Sequence, residues 1–89
     1  MNTRLKIIKR IDELIKEDEE KGYIWSESAK KLAKSKAALN WAKSRCLGDE
    51  WRWIKEEEYD DATIECIARN AFVYARTFAK RWGMIQYKS

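Results

Sequence analysis

The chain has 89 residues, 45% hydrophobic and 38% charged, with a net charge of +4, no proline and no histidine. It is too short to divide into two domains, too apolar for a disordered tail and too charged for a membrane protein. Its longest apolar run, residues 71–75, is five residues, against the roughly 18–20 that span a bilayer. Residues 1–10 break their apolar positions with Lys6, Lys9 and Arg10, so no signal-peptide core is expected and a cytoplasmic location follows. The lack of histidine removes the commonest general base and metal ligand. Cys46 and Cys66 cannot build a four-thiolate site and read as reduced, buried thiols. Cys46 follows Arg45, which favours a thiolate, but it has no base to pair with. The glycines, Gly22, Gly48 and Gly83, lie too far apart for one phosphate-cradling loop. No enzyme, cofactor or metal is expected.

Those glycines read as stop signals after helices. Before the first, Ile7, Ile8, Ile11, Leu14 and Ile15 recur at three and four, predicting an amphipathic helix over residues 3–21 whose acidic end projects into solvent. Ser26 is placed to cap a second helix reaching residue 47, with Trp25, Ala29, Leu32, Ser35, Leu39, Ala42 and Cys46 along its stripe. Residues 50–59, with Trp51, Trp53 and Ile54, are expected to form a short helix. Asp60 or Asp61 caps the last helix, whose stripe is Ile64, Ile67, Ala68, Ala71, Ala75, Phe78 and Trp82 and which Gly83 ends. The tail packs through Ile85 and Tyr87 or frays. No strand pattern competes, and the expected fold is a single all-α domain over residues 1–89, a small bundle of three principal helices plus one short helix.

Charge is segregated along the chain. Residues 28–48 carry Lys30, Lys31, Lys34, Lys36, Lys43 and Arg45 with no acid, whereas residues 49–61 carry seven acids against Arg52 and Lys55. Residues 62–89 turn basic again, with Arg69, Arg76, Lys80, Arg81 and Lys88 opposed by Glu65. A cationic helix can follow a phosphate backbone and gains affinity by releasing counterions. Lys30, Lys34, Trp41 and Arg45 fall on one flank of the second helix and Lys36, Asn40 and Lys43 on an adjoining one, while Arg69, Arg76 and Lys80 can extend the patch. Trp41 can stack on a base. The alternative is that these lysines simply keep the helices soluble.

Five tryptophans are many for a core this small. Trp25 and Trp82 sit on apolar stripes and are expected inside. Trp51 and Trp53 flank Arg52 beside Glu56, Glu57, Glu58, Asp60 and Asp61, which suits an acidic ridge offered to a basic protein groove. Glu57, Asp61 and Glu65 recur at intervals of four, but a helix break near Asp60 would separate them, and capping is the simpler role.

Residues 26–45, SESAKKLAKSKAALNWAKSR, resemble the core of a helix-turn-helix DNA-binding motif. The match lies in Ala29, in Leu32 and in Ser35, where the recognition helix would open. The resemblance implies that residues 36–43 enter the major groove, with Asn40 reading an adenine edge. Ala33 stands where the turn often has glycine and Lys34 where a buried aliphatic usually follows, so an unbroken helix is the more economical reading and no family is assigned.

The sequence thus predicts a non-enzymatic binding module with nucleic acid as ligand, using Lys30, Lys34, Lys36, Asn40, Trp41, Lys43, Arg45, Arg69, Arg76 and Lys80. The alternative is a small inhibitor or adaptor of a nucleic-acid-processing or defence complex, of the size of viral accessory proteins, that uses Trp51, Trp53 and the acids from Glu56 to Asp61. A homodimer is compatible with either.

Overall fold

A computed structural model describes residues 2–88. Helix α1 spans Thr3–Glu20, strand β1 Tyr23–Trp25, α2 Glu27–Ala33, α3 Lys36–Leu47, α4 Asp61–Arg81 and strand β2 Ile85–Tyr87; two 3-10 turns, Gly48–Arg52 and Glu56–Glu58, join α3 to α4. The architecture is all-α as expected, with a small sheet added; the short helix is α2, cut from the expected second helix, and not residues 50–59. Each α-helix opens on a side-chain cap. Asn2, Ser26, Ser35 and Asp60 accept from the backbone N–H three residues on, at 2.8, 3.1, 3.2 and 2.8 Å, which satisfies an amide with no partner inside the helix.

The core follows the predicted stripes for most of their length. Ile7, Ile11, Leu14 and Ile15 of α1 meet Ala29 and Ala33 of α2, Ala38, Leu39 and Ala42 of α3, and Ile67, Ala68, Ala71, Ala75 and Ala79 of α4. Burying each large side chain contributes about 1.5–3 kcal/mol. The alanines of α3 and α4 allow those two helices to pack closely. They also correct the end of the α4 stripe: Ala79, not Phe78, continues the buried seam. One residue is about 100° of helix, so taking Ala79 inward turns Phe78 outward, and Trp82, beyond the end of α4, is 67% exposed rather than buried. Trp25 is buried as expected.

Four further expectations are corrected. The helix over residues 26–47 is broken at Lys34 and Ser35. Ser35 takes an extended conformation (φ −74°, ψ 159°), and its hydroxyl donates to the Leu32 carbonyl at 2.6 Å while accepting from Ala38. One side chain therefore closes α2 and opens α3. Residues 50–59 form 3-10 turns rather than an α-helix, because no continuous apolar stripe holds a longer helix to the core. The reading that no strand forms is corrected too: β1 and β2 pair antiparallel with Tyr23 opposite Tyr87, Ile24 opposite Gln86 and Trp25 opposite Ile85, so the tail packs through Ile85 as expected while Tyr87 stays exposed. Gly22 and Gly83 adopt positive φ, 107° and 72°, and each turns the chain out of a helix toward its strand. Finally, Cys46 and Cys66 are not free thiols but a disulfide, with Cα atoms 6.1 Å apart, linking the last turn of α3 to the start of α4.

Candidate functional site

The residues expected to meet phosphates have mostly found partners within the protein. Lys30 lies 3.5 Å from Glu19 and 3.7 Å from Glu27, and Lys34 lies 2.8 Å from Asp12. Lys43, expected to project, is buried, with its side chain 9% exposed and its ammonium 3.0 Å from Glu56. Arg69 pairs with Glu65. Arg76 donates to Asp18 at 3.0 Å and lies 4.6 Å above the Tyr23 ring, over which Lys80 also sits at 4.7 Å. The sequence separations explain why charge counting missed this. Asp12, Asp18 and Glu19 belong to α1 and Glu56 to a turn, so Lys30, Lys34, Lys43 and Arg76 find carboxylates on other elements of the bundle.

Lys36, Asn40, Trp41 and Arg45 remain available, but on two faces. Lys36 and Asn40 line a shallow depression with Ile8 of α1 and Lys34. Trp41 and Arg45 face the other way, toward α4, where Trp41, Val73, Tyr74, Thr77, Phe78 and Arg81 line an open groove of about 610 Å³. Trp41 and Tyr74 pack at 5.3 Å between ring centroids, and the Arg45 guanidinium lies 5.3 Å over Trp41. Phe78, 46% exposed, packs against Trp82 at 6.2 Å. α3 has no acid, and no acid follows Glu65 in α4, so the groove is apolar, with Arg81 in its lining and Arg45 stacked over Trp41. The signal in the sequence was Val73, Tyr74 and Phe78 recurring at one and four, a second stripe beside the buried one.

The acidic segment presents a different surface. Trp53 is 81% exposed, while Trp51 is half-buried with Arg52 stacked over it at 5.2 Å. Asp49, Glu50, Glu57 and Glu58 are exposed around Trp53 in sequence. Glu56 instead turns inward. Burial pushes its carboxyl up, but hydrogen bonds from Lys43 and Arg4 outweigh that and hold it below the ordinary glutamate value. Asp60 is engaged as the α4 cap, Asp61 lies exposed in the first turn, and Glu65 accepts from Arg10 at 2.7 Å, which depresses its pKa. Glu57, Asp61 and Glu65 therefore do not share a helix face. The ridge expected over residues 56–61 reduces to Glu57, Glu58 and Asp61, with Asp49 and Glu50 joining it ahead of Trp53.

The acidic end of α1, expected to project into solvent, does so only in part: Asp18 is instead the most buried carboxylate among the described residues, and Glu19 pairs with Lys30. Asp18 accepts from Trp25 Nε1 at 2.8 Å and from Arg76 Nε at 3.0 Å. It fixes α1, β1 and α4 against each other and faces no groove, a structural role. No family model matches the chain, and no curated protein or solved structure matches it either.

Proposed function

We propose that the chain is a non-enzymatic protein-interaction module, with the α3–α4 groove and the Trp53 turn as its contact surfaces. The observation that carries this is the contrast between engaged cations and unengaged aromatics. Lys30, Lys34, Lys43, Arg69 and Arg76 are paired with carboxylates, whereas Trp53, Phe78 and Trp82 stand exposed. Exposed tryptophan and arginine around an apolar depression are the composition of protein-interface anchors. The test is photo-crosslinking in the source cell with a photoreactive residue at Trp53 or Phe78 and a control at Lys16, exposed on the outside of α1. Protein adducts at both sites and none at the control are expected; adducts only to nucleic acid would overturn the reading.

A second reading is nucleic acid on the same groove, favoured by the absence of acid from α3 and from α4 beyond Glu65. Single strands suit it better than duplex, because Trp41, Phe78 and Trp82 supply stacking planes while Arg45 and Arg81 supply two phosphate contacts. For location, no helix among the described residues is long and apolar enough to cross a membrane. The cytoplasmic residence expected from sequence is opposed by the disulfide, since such bonds persist in oxidising compartments. The redox state of Cys46 and Cys66 in the cell decides between them.

A further inference from the structure

The groove and the Trp53 turn are complementary to each other. The groove is an apolar depression between Trp41, Tyr74 and Phe78, with Arg81 in its lining, Arg45 stacked over Trp41, and no carboxylate in α3 or in α4 beyond Glu65. Its fitting occupant is a bulky apolar side chain with acids beside it. Trp53 is such a side chain, 81% exposed, with Asp49 and Glu50 before it and Glu57 and Glu58 after it. None of these four carboxylates, and neither Arg45 nor Arg81, forms an ion pair among the described residues.

The two surfaces lie apart on one molecule. α3 and α4 run antiparallel, Cys46 facing Cys66 and Trp41 facing Tyr74, and the Trp53 turn leaves the Cys46 end of α3. Phe78 and Arg81 lie 12 and 15 residues beyond Cys66, about 18 and 22 Å further along α4. The exposure of Trp53 shows that it does not fill its own groove.

We infer that the chain assembles head to tail with copies of itself, the Trp53 turn of one copy seating in the α3–α4 groove of the next. This names the partner in the protein-interaction reading and rests on it. The contact is heterologous, a knob on one copy and a groove on the other, so each copy keeps one free end and assembly either extends as an open chain or closes into a ring. Arg45 and Arg81 against Glu50 and Glu57 set the polarity and make the association sensitive to salt.

The test is sedimentation velocity with the full chain from about 10 μM to 1 mM, which spans weak affinities, at about 50 and 500 mM salt, where the screening length shortens several-fold. Mass is expected to rise with concentration above the 10.6 kDa monomer and less so at the higher salt. Trp53→Ala removes the knob and Phe78→Ala with Arg81→Glu removes the groove. All three side chains are exposed, so circular dichroism should show both variants folded, and each alone is expected to stay monomeric. Mixing the two is the decisive arm, because each supplies what the other lacks: a 1:1 dimer that grows no larger is expected. Monomer at every concentration, unchanged association of Trp53→Ala, or a mixture that does not associate would overturn the inference. A monomeric chain that still gives heterologous protein adducts at Trp53 and Phe78 would overturn self-assembly while leaving the protein-interaction reading standing.

Discussion

Removing the Cys46–Cys66 bridge is the perturbation whose size follows most directly from the structure. The bond closes a loop of 20 residues that contains both 3-10 turns and the exposed Trp53. In the chain-entropy account, releasing a loop of that length returns to the unfolded ensemble about 3 kcal/mol of disorder. For a domain of this size each kcal/mol moves the midpoint by roughly 4–8 °C, so the Cys46→Ala, Cys66→Ala variant should melt roughly 12–25 °C below the parent. The folded state itself changes little, since Asn70 Nδ2 keeps its 2.8 Å bond to the Cys66 carbonyl and gives up only its weak 3.4 Å interactions with the two sulfurs. Thermal unfolding followed by circular dichroism, with and without reductant, measures the shift. Thiol titration of the native protein provides the independent check. Two reactive thiols in the untreated protein, or a midpoint unmoved by the double substitution, would refute the reasoning.

Lys36→Pro tests the break between α2 and α3. As the first residue of α3, Lys36 follows an extended Ser35, so proline should cost under about 1 kcal/mol, whereas an unbroken helix would lose about 3 kcal/mol or more; urea unfolding distinguishes the two. Asp18→Ala leaves the Trp25 indole N–H and the Arg76 guanidinium without their acceptor and should cost about 2–3 kcal/mol, short of a fully buried pair because Arg76 keeps some solvent; a loss under about 0.5 kcal/mol would contradict this role. Gly22→Ala forces a Cβ onto a residue at φ 107°, 3.3 Å from the Tyr87 ring, and should destabilise the fold by about 1–2 kcal/mol in the same assay. Glu56 and Glu65 have carboxyls held below the usual value of 4.5. Their stabilisation is therefore complete above that pH and lost as pH falls through the folded values. Stability should decline below about pH 4.5, and Glu56→Gln with Glu65→Gln should flatten that decline.

The helices were legible because their signals are local. Ile7 to Ile15, Ala68 to Ala75, the Ser26 and Asp60 caps and the terminating glycines each act within a few residues. What was not legible depends on pairing across the chain. The sheet joins Tyr-Ile-Trp after Gly22 to Ile-Gln-Tyr after Gly83, about 60 residues apart, and three residues are too few to show a strand's alternation. The ion pairs of Lys34 with Asp12 and Arg76 with Asp18 join elements 22 and 58 residues apart, so a helix that is cationic in sequence need not present a cationic surface. Ser35 was misread: stripe spacing placed it inside one unbroken helix, the reading preferred over the helix-turn-helix resemblance that would open a second helix there, whereas its hydroxyl closes α2 and opens α3. Trp82 was misplaced because the stripe was continued through Phe78 when Ala79 fits the seam.

The central claim is that the bundle's own carboxylates engage five of the eight cations expected to meet phosphate, Lys30, Lys34, Lys43, Arg69 and Arg76, and that the aromatic groove, with Arg45 and Arg81 unpaired among the described residues, is the proposed surface for partners. The most direct test is fluorescence anisotropy with labelled single- and double-stranded DNA and RNA at about 50 and 200 mM salt. Two phosphate contacts give a loss of affinity of roughly tenfold over that interval, against roughly a thousandfold for six. The account predicts no binding, or weak single-strand binding with the smaller loss, abolished by Arg45→Glu with Arg81→Glu and indifferent to Trp53→Ala. Tight duplex binding that falls a thousandfold and depends on Lys30, Lys34 and Lys43 would contradict it.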